Sequence, residues 1–160
     1  MNAAHLHITL VHIPIVVVPL GFVLLLLAIL RKNGSLSRVA LSLLVAATLT
    51  AVPAFLLGEG AEEIVEDQPG VSEHVIEEHE EAADIAFWCT VATGVVSLAS
   101  LVALRLQAPW QPAAEKLSLV LALAASCTLG FAAQQGGKIR HPEAFSSASQ
   151  AESDDNDETH

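Results

Sequence analysis

Three histidines lie within eight residues of one another near the start of the chain, at His5, His7 and His12, where a long apolar segment begins. Imidazole is the commonest metal ligand in proteins, and ionisable groups at membrane depth are costly unless they have a function. We therefore predict one metal or haem site built from histidines of separate segments. The other four histidines are His74, His79, His141 and His160.

The elements that must position these histidines are apolar segments long enough to cross a bilayer as helices. Apolar residues make up 52% of the 160-residue chain and charged residues only 16%, and a span needs about 20 residues. We predict an all-α fold, an integral membrane antiparallel four-helix bundle that forms a single domain over residues 1–143, followed by a disordered acidic tail over 144–160. The helices are expected at about 5–31, 36–58, 74–106 and 113–135.

The basic residues predict the orientation of the bundle. The first and third connections carry all the loop arginines and lysines before position 138, whereas the long second connection carries none. The positive-inside rule then places both termini on the periplasmic side of a bacterial inner membrane. All seven histidines fall on that same side, and random placement would rarely produce this.

The acidic residues are concentrated in two stretches of the chain. Eleven of the 18 lie between Glu59 and Asp84, and five more lie between Glu152 and Glu158. Most of them are interpreted as solvated. The chain has no basic patch, so we expect no nucleic-acid partner.

Small residues and glycines suggest how the helices approach one another and where they end. A stripe of alanine, threonine, glycine and serine follows His79 at helical spacing. Such a stripe favours close helix packing, including a homodimer, or clearance for a flat cofactor. Gly136-Gly137 predicts the end of the fourth helix, after which Arg140 and His141 could fold back over the bundle.

The first candidate site is a b-type haem with two axial imidazoles. His12 and His79 are the preferred ligands, His7 and His141 are substitutes, and Arg140 is expected to pair with a propionate. The heights of His12 and His79 along their helices do not match well, so a pairing of His79 with His7 or His141 stays open. This reading predicts an electron-transfer protein, with a quinone and a soluble redox carrier as partners.

The alternatives use carboxylates with the same histidines. A non-haem metal oxidoreductase, with di-iron, copper or zinc, could use Glu62, His79, His141 and Glu143. A metal-binding protein without catalysis, whose acidic loop collects cations, is the third hypothesis. Whether the chain is an enzyme is left open.

The chain resembles a family of small, uncharacterised bacterial four-helix membrane proteins. The resemblance rests on His7-x-x-x-Val11-His12-x-Pro14-Ile15, on His79 ahead of the third helix, and on Gly137-x-Ile139-Arg140-His141 after the fourth. Pro142-Glu143 stands where many relatives have glycine. Some relatives look fused to Rieske or c-type haem domains, which implies electron transfer and ranks haem first.

Overall fold

The computed structural model describes residues 2–66 and 71–140. Those residues form five α-helices joined by short connections and contain no strand, which confirms the predicted all-α fold. Four of the helices are long and apolar enough to span a membrane, so the chain is a helical membrane bundle. The helices are α1 (Ala3–Leu30), α2 (Gly34–Leu56), α3 (Gly58–Val65), α4 (Glu73–Leu106) and α5 (Gln111–Arg140).

Asparagine caps set where the first two helices begin. The side chain of Asn2 accepts a hydrogen bond from the backbone N–H of His5, and Asn33 does the same for Ser35 and Leu36. These caps satisfy N–H groups that have no partner inside the helix. Because only three residues separate α1 from α2, and Lys32 adopts the left-handed conformation there, the two helices form a tight antiparallel hairpin.

The four long helices form a ring in which each contacts two others. α1 packs against α2, α2 against α4, α4 against α5, and α5 back against α1. α1 and α4 are therefore diagonal to each other, as are α2 and α5. At the end of the bundle away from the amino terminus, the hydroxyl of Ser37 on α2 donates to Glu115 on α5 and links that diagonal.

The apolar core is uneven along the bundle axis. Its larger side chains, among them Val18, Leu25, Leu41 and Leu44, are fully buried in one cluster. A separate small cluster of alanines, Ala82, Ala86 and Ala132, lies towards the end that holds the amino terminus. We call this the histidine end, because α1 and α4 begin there with His7 and His79.

Close packing accounts for the stripe of small residues on α4. Ala82, Ala86, Thr90, Thr93, Gly94 and Ser97 are all buried within the chain. A Cβ atom added to Gly94 would lie only 2.7 Å from Cγ2 of Thr48 on α2. The stripe therefore packs against other helices of the same chain. It gives no support to the predicted homodimer, which stays a prediction.

Two features of the helix boundaries differ from the sequence prediction. α3, which packs against α1, was not predicted, and it follows α2 after Leu57 alone. The fourth span does not stop at Gly136-Gly137, because α5 continues to Arg140. Gly136 serves a close approach rather than a helix end, since a Cβ atom there would lie 3.0 Å from Cε1 of His79.

Candidate functional site

His7 is held against α2 by a hydrogen bond from its ring. The half-buried imidazole places Nδ1 2.8 Å from the carbonyl oxygen of Ala54. Ala54 lies in the last turn of α2, where carbonyls lack partners within the helix. One turn further on, a Cβ atom added to Gly58 would lie 3.9 Å from Cε1 of the ring, which is ordinary contact.

His79 is held against α5 in the same manner. Its Nδ1 lies 3.0 Å from the carbonyl oxygen of Ala132, and the ring is half-buried. Gly136, one turn after Ala132, lies directly beside the ring. The histidine thus occupies space that a larger residue on α5 would fill.

The two hairpins therefore carry matching constellations. In each, a histidine on the first helix bonds to an alanine carbonyl on the second, and a glycine four residues after that alanine lies beside the ring. The pairs Ala54–Gly58 and Ala132–Gly136 have the same spacing. This repeat was missed in the sequence, although the Ala-x-x-x-Gly pattern at Ala54–Gly58 and at Ala132–Gly136 was the available signal.

The hydrogen bonds define which ring nitrogens of His7 and His79 remain available. A carbonyl oxygen only accepts, so each Nδ1 carries the proton and donates it. Each Nε2 is then left with a free lone pair, the form in which imidazole binds a metal. The rings come from the diagonal helices α1 and α4.

Alanine dominates the interior around these rings. The buried apolar residues of the histidine end are small except for Ile76, whereas the largest fully buried side chains lie further along the bundle. The small residues at this end are Ala4, Ala51, Ala54, Ala82, Ala86 and Ala132.

His5 and His12 face away from the interior. Both are exposed, and Nδ1 of His12 lies 2.5 Å from the carbonyl oxygen of Ile8 in its own helix. The structure thus brings His7, and not the preferred His12, to the side of the bundle where His79 lies. His7 thus lies on a different face of α1 from His5 and His12.

The remaining predicted ligands fall outside this pair. His141 and Glu143 lie outside the described residues, as does the side chain of Arg140, the last residue of α5. Glu62 on α3 belongs to an acidic group. Burial and then the charges of Glu80, Glu66 and Glu59 raise its pKa above the ordinary value.

In the part of the chain that the structure describes, the possible metal-ligating side chains do not form a cluster. Within residues 2–66 and 71–140 no three histidine, cysteine or acidic side chains converge on one point. A mononuclear zinc site takes three or four protein ligands. The described residues instead offer a pair of imidazoles.

Glu78, next to His79, lies at the centre of a polar group that the sequence did not single out. Its carboxylate lies 3.5 Å from Nε2 of Gln135, 4.0 Å from Nζ of Lys138 and 3.5 Å from Nε2 of His74. Gln135 is buried, and its Oε1 has no hydrogen-bond partner among the described residues. The fourth helix predicted over about 113–135 already implies that Gln135 lies on the same side as Ala132, three residues earlier.

The family model described as a predicted membrane protein (DUF2231) matches residues 3–143. The chain belongs to this family. The match spans all four long helices and both histidine–carbonyl pairs, and the family is one of uncharacterised proteins. No curated protein and no solved structure matches the chain.

Proposed function

We propose that this protein is a b-type cytochrome-like electron-transfer protein that binds haem between His7 and His79. The observation that carries the proposal is the pair of half-buried imidazoles on diagonal helices, each with Nδ1 bonded to a carbonyl. A haem iron needs only two axial ligands from the protein, because the porphyrin supplies the other four.

The donor set and its surroundings fit this group. Nδ1–H bonds to carbonyl oxygens fix the orientation of each ring and raise the basicity of Nε2, the usual outer-shell arrangement of a ligating histidine. Ala54, Ala82, Ala86 and Ala132, which are buried at this end of the bundle, would give a macrocycle apolar contacts. Bound haem would supply one-electron redox chemistry.

The residues of this chain would have separate tasks in that chemistry. His7 and His79 would hold the haem iron, while Ala54 and Ala132 orient the two rings through their carbonyls. Lys138, whose ammonium group lies near the histidine end, is the described cation available to a propionate.

Absorption spectroscopy of the protein purified from membranes tests the proposal. We expect a Soret band and sharp reduced α and β bands, with about one haem per chain by pyridine haemochrome. His7→Ala and His79→Ala should each lose the six-coordinate spectrum. His12→Ala is the matched control on α1 and should retain it. A colourless protein, or unchanged spectra in both site variants, would contradict the proposal.

We also propose that the histidine end faces the periplasm of a bacterial inner membrane. The basic residues Arg31, Lys32 and Arg105 all lie at the opposite end of the bundle, in or beside the α1–α2 and α4–α5 connections. Connections on the cytoplasmic side of a membrane carry an excess of basic residues. Single cysteines at Ser72 and Asn33, in a chain with Cys89 and Cys127 replaced by alanine, test this orientation. A membrane-impermeant maleimide applied to spheroplasts should label position 72 only, and labelling at position 33 alone would reverse the assignment.

A further inference from the structure

The α1–α2 hairpin meets the α4–α5 hairpin along a seam between α2 and α4. Thr48 of α2 defines this contact, because its hydroxyl lies 2.9 Å from the carbonyl oxygen of Thr90 and its side chain lies directly beside Gly94. The contact fixes how α2 and α4 are rotated and how they are staggered. Two arginines, Arg38 on α2 and Arg105 on α4, lie along these helices towards the end opposite the histidine end.

Helix rotation places Arg38 on the outer side of this seam. Because successive residues turn by about 100°, Arg38 lies about 80° around α2 from Thr48. Leu44, on the other side of Thr48, is fully buried, whereas Arg38 is exposed. Its guanidinium lies beside the first turn of α2, with Nε 3.3 Å from the carbonyl oxygen of Gly34 and Nη2 3.4 Å from Oγ of Ser35.

Arg105 reaches the same outer side from α4. It lies about 20° around α4 from Gly94, and it is exposed, whereas Ser97 on the other side of Gly94 is fully buried. Since Thr48 is level with the turn that ends at Gly94, the level of Arg38 on α4 is about three residues before Arg105, or about 4.5 Å along the axis. Side chains lean towards the start of their own helix, so in these antiparallel helices the two arginines lean towards each other.

The rest of this outer side is apolar. Leu49 and Val52 of α2 lie on the same side of Thr48 as Arg38, and both are exposed. On α4, Leu98 and Val102 are exposed on the corresponding side of Gly94. We call this surface the outer α2–α4 seam. It carries two guanidinium groups at one end and apolar side chains along its length.

The two guanidinium groups of the seam have no anionic partner in the part of the chain that the structure describes. No carboxylate of those residues lies within 4.0 Å of Arg38 or Arg105. The described acidic residues lie in or next to α3 or in the first third of α4, except Glu115. Glu115 accepts hydrogen bonds from Ser37 and Gln111 instead. The seam therefore offers two cations to an external anion.

We propose that the outer α2–α4 seam binds an anionic glycerophospholipid, with its phosphate between Arg38 and Arg105 and its acyl chains along the apolar side chains. A guanidinium pairs with a phosphate through two parallel hydrogen bonds. The amino end of α2 beside Arg38 adds a partial positive charge. A zwitterionic lipid binds less tightly, because its ammonium group is repelled by the same arginines.

The bound lipid would act as a clamp between the two hairpins. α2 and α4 belong to different hairpins, so one lipid that contacts both favours their assembly. That assembly is what brings His7 and His79 to the same end of the bundle. The lipid site itself does not depend on haem, so the loss of one proposal leaves the other standing.

Native mass spectrometry of the delipidated protein in detergent tests the site. With phosphatidylglycerol and phosphatidylcholine of the same acyl chains as probes, the wild type should retain about one phosphatidylglycerol per chain and bind phosphatidylcholine more weakly. Arg38→Gln and Arg105→Gln should each weaken phosphatidylglycerol binding roughly fivefold, the effect of one basic residue near an anionic lipid. Lys116→Gln is the matched control, because it removes the same charge at the same end from α5, the helix diagonal to α2. Equal binding of the two lipids, or an equal loss in the control, would overturn the proposal.

Thermal unfolding in detergent tests the clamp. Phosphatidylglycerol should raise the melting temperature of the wild type more than phosphatidylcholine does, and glycerol phosphate, which lacks acyl chains, should not raise it. Arg105 makes no hydrogen bond or ion pair within the described residues, so Arg105→Gln should melt like the wild type without lipid and lose most of the increase with phosphatidylglycerol. An undiminished increase in this variant, or equal stabilisation by glycerol phosphate, would contradict the lipid clamp.

Discussion

His7 and His79 lie on diagonal helices of the bundle, and each is bonded through Nδ1 to a carbonyl of the helix that follows it in the chain. A single hairpin could position only one of these rings. Their approach requires that the hairpins α1–α2 and α4–α5 assemble with their histidine ends together. The predictions below test the contacts that hold this arrangement.

Substitution of Gly136 should disturb His79. The added methyl group of Gly136→Ala would lie 3.0 Å from Cε1 of the ring, so the ring or the helix must shift. Overpacking of this kind typically costs about 1–3 kcal/mol. We expect lower haem content and a lower melting temperature, measured by pyridine haemochrome and thermal unfolding in detergent.

Gly130→Ala is the control for the Gly136 substitution. Gly130 lies on the same helix, and a Cβ atom there would have no neighbour within 4 Å. The control should therefore leave haem content and melting temperature unchanged or slightly improved. Equal behaviour of the two variants would show that Gly136 does not serve as clearance for the ring.

Gly94→Ala should weaken the contact between α2 and α4. The new methyl group would lie 2.7 Å from Cγ2 of Thr48, a short β-branched side chain that has little freedom to move. We expect a loss of about 1–3 kcal/mol in the free energy of unfolding, measured by denaturation in detergent. Gly34→Ala, at the open start of α2, is the control, and a Gly94→Ala chain as stable as this control would contradict the packing argument.

Thr48→Val should remove a hydrogen bond between two spans. The hydroxyl of Thr48 lies 2.9 Å from the carbonyl oxygen of Thr90 on α4 as well as 3.0 Å from that of Leu44. Hydrogen bonds between membrane helices are worth about 0.6 kcal/mol on average. We expect a destabilisation of that size, measured by unfolding in mixed micelles.

The matched control for Thr48→Val is Thr128→Val. Among the described residues, the hydroxyl of Thr128 bonds only to carbonyls of its own helix, at Ala124 and Ala125. Its replacement should change stability less than Thr48→Val does. If Thr128→Val lowered stability more than Thr48→Val, the hydrogen bond between α2 and α4 would not explain the effect of the Thr48 substitution.

The acidic group around Glu62 should make stability fall as pH rises. Burial, and then Glu80, Glu66 and Glu59, raise the pKa of Glu62, so the folded state binds its proton more tightly than the unfolded chain does. The carboxyl is therefore unfavourable once ionised. Protonation of Glu62 stabilises the folded protein fully below pH 4.5, the ordinary pKa of a glutamate. This stabilisation is lost as the pH rises through the raised pKa of the folded state.

Glu62→Gln should flatten this pH dependence. Melting temperatures measured between pH 4 and pH 8 should fall less steeply for the variant than for the wild type. Glu63→Gln, the exposed neighbour on α3, serves as the control and should keep the wild-type slope. Because Glu62 is only partly buried, salt screens its carboxylate neighbours, and the effect should also shrink at high salt. A variant as steep as the wild type would remove Glu62 as the cause.

Much of the architecture could be predicted from the order of the residues. Apolar segments of bilayer length require helices, because the backbone has no other partner in lipid, and four such segments with short connections form an antiparallel bundle. The same topology predicts that His7 and His79 lie at one end. The position of Gly136, by contrast, suggested a helix stop, since glycine at a helix terminus and glycine at a close contact look alike in a sequence.

The rotation of each helix about its own axis was decided only by tertiary packing. Histidine spacing placed His5 and His12 on one face of α1 and His7 on another, but α1 is apolar on nearly every side, so its pattern could not say which face is buried. Contacts with α2 and α5 decide this, and they turn His7 inward to Ala54 and leave His12 exposed. The meeting of Gln135 with Glu78 depends on the same rotations, which no local pattern of residues determines.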